Sequence, residues 1–240
     1  MKIKSVLEFM QWLNNSSDSD SDMDFDMYRG QLDEKWELVP SIVRYVNADL
    51  AKGYKSTTDI ESHLIEWFEK YSTPYKDYRS VLHLEKLIDG QHYGLPTRLL
   101  DWTTNPLKAL YFAVENPKFD NTNGVVYGIG PTGWWEGIKK VELNDNLVAF
   151  FPELLNERIN AQEGCFISFP LPTIGFNVLP LSIKNYPKGV EVLEKVIIEA
   201  KRKAKIRFEL NKLGINQRTI YPGLEGVAKW VKSDLSYYGL

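Results

Sequence analysis

The sequence is poor in residues that form cross-links or bind metals. Among its 240 residues there are three histidines and one cysteine, Cys165. A single cysteine excludes a disulfide within the chain, and no Cys/His cluster has the spacing of a zinc site. We therefore expect a fold that needs neither metal nor disulfide, in a reducing compartment such as the cytoplasm.

Long hydrophobic runs and common catalytic motifs are absent as well. The N-terminal segment MKIKSVLEFMQWL has no apolar core followed by a small-residue cleavage site, and no stretch reaches the roughly 18 apolar residues of a spanning helix. We expect no membrane association. The motifs GxxxxGK[ST], HExxH and GxSxG do not occur, which removes the usual signatures of phosphate-loop, zinc-protease and serine-hydrolase chemistry.

The composition is that of an ordinary folded protein. It is 43% hydrophobic, 13% aromatic and 25% charged, which excludes the disordered and collagen-like classes. The net charge of -3 argues against indiscriminate nucleic-acid binding. Charge is nevertheless uneven along the chain. Acids alternate with other residues at Asp18, Asp20, Asp22, Asp24 and Asp26, and bases crowd together at Lys201, Arg202, Lys203, Lys205 and Arg207.

Local signals divide the chain at about residue 24. Ser5 and Glu8 form a capping box for a short helix. The pattern predicts an apolar face on this helix made by Val6, Leu7, Met10 and Leu13. The run NNSSDSDSD that follows has the composition of a solvated linker. We expect residues 1–24 to be a helix and an acidic linker, and residues 25–240 to be a single globular domain.

Helical signals come first in this domain, and strand signals follow. Predicted helices begin near Ser41 and at a capping box of Thr58 with Glu61, and a third has Gly90 near its C-terminal cap. Asn105 as N-cap and Pro106 at the first helical position predict a further helix. The segments MDFDMYRG, GVVYGIG, GCFISFP and VEVLEKVIIEA are typical of strands, and a basic helix is expected over residues 201–213. This order predicts an α+β fold around a mixed or antiparallel sheet.

Three polar clusters lie in apolar, aromatic surroundings. The first is Tyr28-Arg29-Gly30, where an arginine at a strand end is placed to hold a phosphate or carboxylate through two hydrogen bonds. A structural salt bridge on a neighbouring strand is the alternative. The second runs from Gln91 to Thr103 and contains His92, Thr97, Arg98, Asp101, Trp102 and Thr103. These groups either converge on a pocket or form a structural network in which Arg98 pairs with Asp101.

The third cluster runs from Arg158 to Phe166 and brings Gln162 and Glu163 to the start of a strand. A carboxylate in this position can act as a general base or bind a sugar hydroxyl, or it can simply face water. Period-two alternation would send Gln162 and Glu163 to opposite faces. Cys165, in an apolar strand, is expected to be an inert small hydrophobe.

These clusters and the C-terminal segment LNKLGINQRTIYPGLEGVAKW resemble the FRG domain, a bacterial and phage family named for a Phe-Arg-Gly motif. Tyr28 stands where that motif has phenylalanine and keeps an aromatic ring. The resemblance also includes Pro40-Ser41-Ile42, Arg44, the block HYGLPTRLLDWTTNPLKALYFA, Arg158 with Gln162, and the segment GIN…YPGL. It covers about residues 25 to 230.

A weaker resemblance is to mono-ADP-ribosyltransferases of the arginine-serine-glutamate type. It rests on the aromatic-Arg-Gly strand, the threonine-bearing strand before the ALYFA helix segment, and a strand opening with Gln or Glu. It implies a split, mixed, antiparallel-rich sheet with helices around it and NAD as substrate in the cleft. Arg29 would grip the NAD phosphates and the Thr97–Thr103 segment would support the nicotinamide ribose. Gln162, Glu163 or Asp101 would stabilise the oxocarbenium-like transition state.

The predicted site follows from these resemblances. Its catalytic candidates are Arg29, Asp101, Gln162 and Glu163, and its NAD-binding candidates are Tyr28, Arg29, Gly30, His92, Thr97, Arg98, Trp102 and Thr103. We expect an NAD-dependent ADP-ribosyltransferase, a toxin effector of a toxin–antitoxin or phage-defence system, with RNA, DNA or protein as acceptor and an antitoxin as a neutralising partner. The alternatives are a non-enzymatic nucleotide- or partner-binding module, and a nuclease or other hydrolase centred on His92 and Asp101.

Overall fold

The computed structural model describes residues 1–17, 25–135, 146–153 and 156–237. The strands are β1 (Lys2–Ile3), β2 (Met27–Gln31), β3 (Leu99–Thr103), β4 (Gly124–Pro131), β5 (Trp134–Trp135), β6 (Val148–Phe150), β7 (Gly164–Ser168) and β8 (Val190–Ile198). The helices are α1 (Val6–Ser17), α2 (Ser41–Tyr45), α3 (Ala48–Gly53), α4 (Thr57–Ser72), α5 (His83–His92), α6 (Pro106–Val114), α7 (Glu157–Gln162), α8 (Lys203–Lys212), α9 (Gln217–Ile220) and α10 (Leu224–Tyr237). No helix in these ranges is long and apolar enough to cross a membrane.

The strands form one mixed sheet, and the fold is α+β as the sequence predicts. In the described residues the sheet has eight strands in the order β1-β8-β4-β2-β3-β7-β6-β5. The β1–β8 and β5–β6 pairs are parallel, and the other neighbouring strands are antiparallel. Apolar residues of both faces pack against helices and loops, so that separate core clusters form on the two sides.

The sheet is split in the middle. β2 pairs with β4 along its whole length, from Met27↔Ile129 to Gln31↔Val125. β3 likewise pairs with β7 throughout. Between β2 and β3, the register contains the single pair Tyr28↔Thr103. The two halves of the sheet therefore separate beyond this pair.

Helix α6 closes one face of the sheet next to the split. Its predicted cap is confirmed: the Asn105 side chain accepts hydrogen bonds from the N–H groups of Leu107 and Lys108, and Pro106 occupies the first turn. The helix packs tightly on β2 at Gly30. A Cβ there would overlap the carbonyl oxygen of Ala109 and lie 2.7 Å from the Ala113 nitrogen. The glycine of the Tyr-Arg-Gly motif thus makes room for a helix.

The N-terminal helix is confirmed as α1, and Ser5 Oγ accepts a hydrogen bond from the Glu8 N–H at 3.2 Å. Its buried face differs from the predicted one, because Leu7 is 69% exposed and Met10 40% exposed whereas Phe9 and Trp12 are buried. The helix continues to Ser17, through residues expected to belong to the linker. Residues 1–17 share the sheet and core of the rest of the chain through β1 and α1. Residues 18–24 of the acidic run lie outside the described residues.

Two further helix ends differ from the predicted ones. The N-cap of α4 is Ser56, which accepts from the Asp59 N–H, while Thr58 donates to the Pro172 carbonyl at 2.9 Å. Helix α5 runs through Gly90 to His92. The left-handed glycine after it is Gly94, with φ 95°. Gly90 is buried in the helix against Leu95, which explains the small residue there.

Candidate functional site

A cavity of about 930 Å³ lies at the split in the sheet. Its walls come from both faces, since Tyr28, Phe112 and Tyr221 pack against the core around α6 while Trp102 and Cys165 belong to the opposite core. Besides the two tyrosines, the charged and polar lining residues are Arg29, Gln31, Lys35, Glu37, Arg44, Gln91, His92, Asp101, Thr103, Glu115, Asn156, Arg158 and Gln162. Such a mixture of apolar walls and a few directed polar groups is typical of a small-molecule site.

Arg29 is the central cation of the cavity. One guanidinium nitrogen, Nη1, donates a hydrogen bond to the Asp101 carbonyl oxygen across the split. Its Nε is buried and has no hydrogen-bond partner in the described part of the chain. Burial lowers the pKa of Arg29, and the neighbouring Arg44 adds to this effect while Asp101 opposes it. A buried donor of this kind favours a ligand that accepts its hydrogen bond.

Arg44 and Asp101 complete the charged group around Arg29. Arg44 Nη1 donates to the Val39 carbonyl at 2.7 Å, and burial lowers the pKa of Arg44 whereas Asp101 raises it. Asp101 Oδ1 accepts from Gln91 Nε2 at 2.7 Å. Thr97 hydrogen-bonds in turn to Gln91 Oε1. This chain of contacts fixes the Asp101 carboxylate beside two guanidinium groups, which together leave an excess positive charge for an anion.

Glu115 and Tyr221 line another part of the cavity. The Tyr221 hydroxyl donates to Glu115 Oε2 at 2.7 Å, and the Arg158 guanidinium lies 5.4 Å from the centre of the Tyr221 ring. Burial raises the pKa of Glu115, although the hydrogen bond from Tyr221 opposes the shift. The pKa of Tyr221 is also raised, first by burial and then by Glu115. This region offers a partly desolvated carboxyl group close to aromatic rings.

Most of the predicted site residues meet in this cavity. Its lining contains Tyr28, Arg29, Gly30, His92, Asp101, Trp102, Thr103 and Gln162. Thr97 and Arg98 do not line it, because both side chains point into the core. Arg98 makes a buried ion pair with Glu61 at 2.5 Å, and its own N–H also donates to that carboxylate. The predicted ligand contact of Arg98, and its alternative pairing with Asp101, are therefore wrong.

The third cluster has a different local structure from the predicted one. Residues Glu157–Gln162 form α7, with Asn156 as N-cap, and Glu163 ends it in the left-handed region with φ 48°. The strand β7 begins only at Gly164. Strand alternation therefore does not govern Gln162 and Glu163. Gln162 faces the cavity, whereas Glu163 lies outside its lining and binds Lys108 Nζ at 2.7 Å.

Several cavity residues had no predicted role. They are Gln31, Arg44, Gln91, Glu115, Arg158 and Tyr221. Arg44, Arg158 and Tyr221 stand within the segments that resemble the FRG domain, and this was the available signal. Glu115 follows α6 directly and has no such signal in the sequence. Cys165 is fully buried and burial raises the pKa of its thiol, in agreement with the expected inert role.

The basic stretch is engaged within the protein. Lys203 is fully buried and donates to the carbonyls of Leu32 and Phe119, and Arg207 pairs with Asp120. The remaining bases pair with nearby glutamates, Lys201 and Arg202 with Glu199, and Lys205 with Glu209. This pairing weakens the argument for a nucleic-acid acceptor. In the described ranges, no group of three or more His, Cys, Asp or Glu residues could hold a metal ion.

Comparison with known proteins gives one family. Residues 26–122 match the family model described as the FRG domain. Neither the curated proteins nor the solved structures contain a match. The matched segment includes Arg29, Arg44, Asp101 and Glu115 of the cavity, while α7 and Tyr221 lie beyond its end. The resemblance to the FRG domain is thus confirmed for residues 26–122.

Proposed function

We propose that the protein is an NAD-dependent ADP-ribosyltransferase whose substrate NAD binds in the cavity at the split of the sheet. The observation that carries this proposal is the Nε of Arg29, which is buried without a hydrogen-bond partner in the described residues. The guanidinium of Arg44 is a neighbouring positive charge. Two adjacent guanidinium groups are suited to a pyrophosphate, because each presents several N–H donors in a fixed plane.

The size and walls of the cavity support a dinucleotide. A volume of about 930 Å³ stands near the upper end of the roughly 300–1,000 Å³ that is usual for small-molecule pockets. Tyr28, Phe112 and Tyr221 supply aromatic surface for flat rings on one side, and Trp36 supplies it elsewhere in the lining. A single mononucleotide would leave much of this surface uncovered.

Asp101 is the proposed catalytic carboxylate. When the bond between nicotinamide and ribose breaks, its electron pair leaves with the nicotinamide and positive charge develops on the ribose. A fixed carboxylate nearby lowers the energy of that state, by about 2.7–4 kcal/mol in comparable electrostatic contacts. Asp101 is held in place by Gln91 and lies in the cavity, whereas Glu163 does not. The acceptor nucleophile then forms a bond to the ribose carbon that nicotinamide has left, and its proton passes to solvent water.

A nucleotide-binding module without catalysis is the second candidate. The observation in its favour is Gln162, which lies in the cavity where the transferase resemblance would place a carboxylate. Gln162 Nε2 donates to the Ile220 carbonyl at 3.4 Å. The Thr103 hydroxyl donates to the backbone carbonyl of Gln162 at 2.7 Å. A neutral amide cannot stabilise the cationic ribose as a carboxylate does, so turnover in this protein would depend on Asp101.

Incubation with NAD labelled in the adenosine part, together with mixtures of proteins and of RNA or DNA, separates these functions. Transfer of label, or release of nicotinamide above the level of an Arg29→Ala variant, is the expected result. Saturable NAD binding without either product would identify the binding module. Cleavage of nucleic acid that is unchanged in Arg29→Ala would instead identify the hydrolase centred on His92 and Asp101.

We extend the proposal to a toxin role, which a growth assay tests. If transfer modifies an essential protein or nucleic acid, expression of the wild-type chain in bacteria arrests growth, and the Arg29→Ala variant does not. A neutralising partner would then be found among genes whose co-expression restores growth. Growth that is equal for both chains at equal protein levels would remove the toxin role and leave the transferase proposal untouched.

A further inference from the structure

Two buried polar side chains of the cavity lining, Gln31 and Trp102, each have one hydrogen-bonding atom without a partner in the described residues. Gln31 is 5% exposed and its Oε1 has no hydrogen-bond partner in the described part of the chain. Trp102 is 3% exposed, and its Nε1–H likewise has none there. Both residues line the cavity. Buried polar groups in native proteins normally have hydrogen-bond partners. Gln31 Oε1 lacks a donor and Trp102 Nε1 lacks an acceptor, and a ligand in the cavity can supply both.

The positions of Gln31 and Trp102 place them on the two sides of the split. Gln31 is two residues after Arg29 in β2, so both side chains project from the same face of the strand. Trp102 follows Asp101, the residue whose carbonyl accepts the Arg29 hydrogen bond. Gln31 Nε2 donates to the Glu37 carbonyl at 3.4 Å, which directs its other amide atom, the acceptor, away from Glu37. One acceptor and one donor are thus available within the binding region of Arg29.

We infer that Gln31 and Trp102 are specificity-determining residues that recognise a ligand group bearing an amine next to a carbonyl or ring-nitrogen acceptor. The ligand amine donates to Gln31 Oε1 and the ligand acceptor receives the Trp102 N–H. This inference rests on the proposed function, because NAD carries such a group at each end: the carboxamide of nicotinamide and the amine edge of adenine.

Binding of three dinucleotides, measured by calorimetry at one salt concentration, tests the inference and identifies the end that is recognised. The probes are NAD, nicotinic acid adenine dinucleotide, in which a carboxylate replaces the carboxamide, and nicotinamide hypoxanthine dinucleotide, in which an oxo group replaces the adenine amine. The wild-type protein should bind one of the two analogues about ten- to a hundredfold more weakly than NAD, since the analogue leaves a buried group unpaired.

Two variants assign this preference to the named atoms. Gln31→Met removes the acceptor at similar volume, and Trp102→Phe removes the donor but keeps an aromatic ring. Each should reduce the discrimination between NAD and the disfavoured analogue to within a few-fold. Gln217→Met is the matched control, because Gln217 Oε1 is also buried without a hydrogen-bond partner among the described residues, but Gln217 lies outside the cavity lining. It should keep the wild-type preference.

The outcomes separate the two proposals. Wild-type protein that binds none of the three dinucleotides refutes the proposed function, and the inference with it. Wild-type protein that binds all three equally overturns the inference alone. The same holds if folded Gln31→Met and Trp102→Phe proteins bind NAD and keep the wild-type discrimination. Thermal melting of each variant beside the wild type shows that the proteins compared are folded.

Discussion

The Nη1 atom of Arg29 donates a hydrogen bond to the backbone carbonyl of Asp101, across the line where β2 and β3 separate. The contact joins the two halves of the sheet at the point where their own ladder has ended. It also fixes the guanidinium with its Nε inside the cavity. The residue that would bind the ligand phosphates is therefore oriented by the backbone of the proposed catalytic aspartate.

Replacement of Arg29 by alanine should abolish detectable NAD binding while the protein remains folded. The change removes the buried Nε donor and one of two adjacent positive charges. Arg29→Lys should restore binding only in part, because a lysine cannot donate to the Asp101 carbonyl and a pyrophosphate in the same plane. Calorimetry gives the affinities. Arg79→Ala, which deletes an exposed arginine paired with Asp77, is the control of equal charge change and should bind NAD normally.

Asp101→Asn should lower the rate of nicotinamide release about 10²- to 10³-fold with little change in NAD affinity, because the carboxylate acts on the charge of the transition state. Glu163→Gln is the matched comparison, since Glu163 lies outside the cavity and binds Lys108. The Glu163→Gln variant should release nicotinamide at the wild-type rate. Loss of turnover in Glu163→Gln with normal turnover in Asp101→Asn would contradict the assignment.

Gly30→Ala should destabilise the protein by more than about 3 kcal/mol or prevent folding, since the new methyl group meets backbone atoms of α6 that cannot move independently. Urea unfolding monitored by circular dichroism measures the loss. Gly53→Ala is the control: a Cβ there meets nothing within 4 Å, so its unfolding midpoint should not fall. Wild-type stability in Gly30→Ala would show that α6 and β2 are not packed as described.

The buried ion pair of Glu61 and Arg98 should contribute strongly to the free energy of unfolding. Glu61→Leu leaves the Arg98 guanidinium buried and unpaired, which costs about 3–5 kcal/mol. Adding Arg98→Met should recover part of this loss, although the Arg98 N–H stays unpaired. Chemical denaturation of the single and double variants checks both statements. A double variant less stable than Glu61→Leu would contradict them.

Glu115 should make the stability of the protein depend on pH. Burial raises its folded-state pKa above the ordinary value of 4.5, so the folded state holds the proton more tightly than the unfolded state. The resulting stabilisation is present below about pH 4.5 and is lost as the pH rises through the folded-state pKa. Glu115→Gln cannot ionise. Its free energy of unfolding relative to wild type should therefore increase between about pH 4 and about pH 7.

Denaturation curves at several pH values measure this trend. Glu225→Gln is the control, because the ion pair with Lys229 lowers the pKa of Glu225. It should not gain stability relative to wild type as the pH rises. A Glu115→Gln difference that is constant across the same range would show that the carboxyl group is not desolvated in the folded protein.

Local signals in the sequence were sufficient for elements whose caps and patterns involve neighbouring residues. The Asn105-Pro106 start of α6 and the β-branched strands β4 and β8 are confirmed. The same signals were not sufficient where contacts between residues distant in the sequence determine the structure. The buried face of α1 is set by packing against α6 and α8, and its exposed Leu7 cannot be distinguished from Phe9 by periodicity alone. Glu163 is the C-cap of α7, a helix that the local sequence pattern did not predict.

The candidate site shows the same division. The sequence determined which segments are unusual: it identified Tyr28-Arg29-Gly30, the residues from Gln91 to Thr103 and the approach to Gly164 as polar groups in apolar surroundings, and it indicated the FRG family. Only the tertiary structure decided which of their side chains share one cavity. Arg98 pairs with the buried Glu61 of α4, and Glu163 pairs with Lys108. Glu115 and Tyr221, which are distant in the sequence, are hydrogen-bonded to each other in the cavity. The reason is physical: a charged or polar side chain is placed by the partner that satisfies it, and that partner is brought near by the fold rather than by position in the sequence.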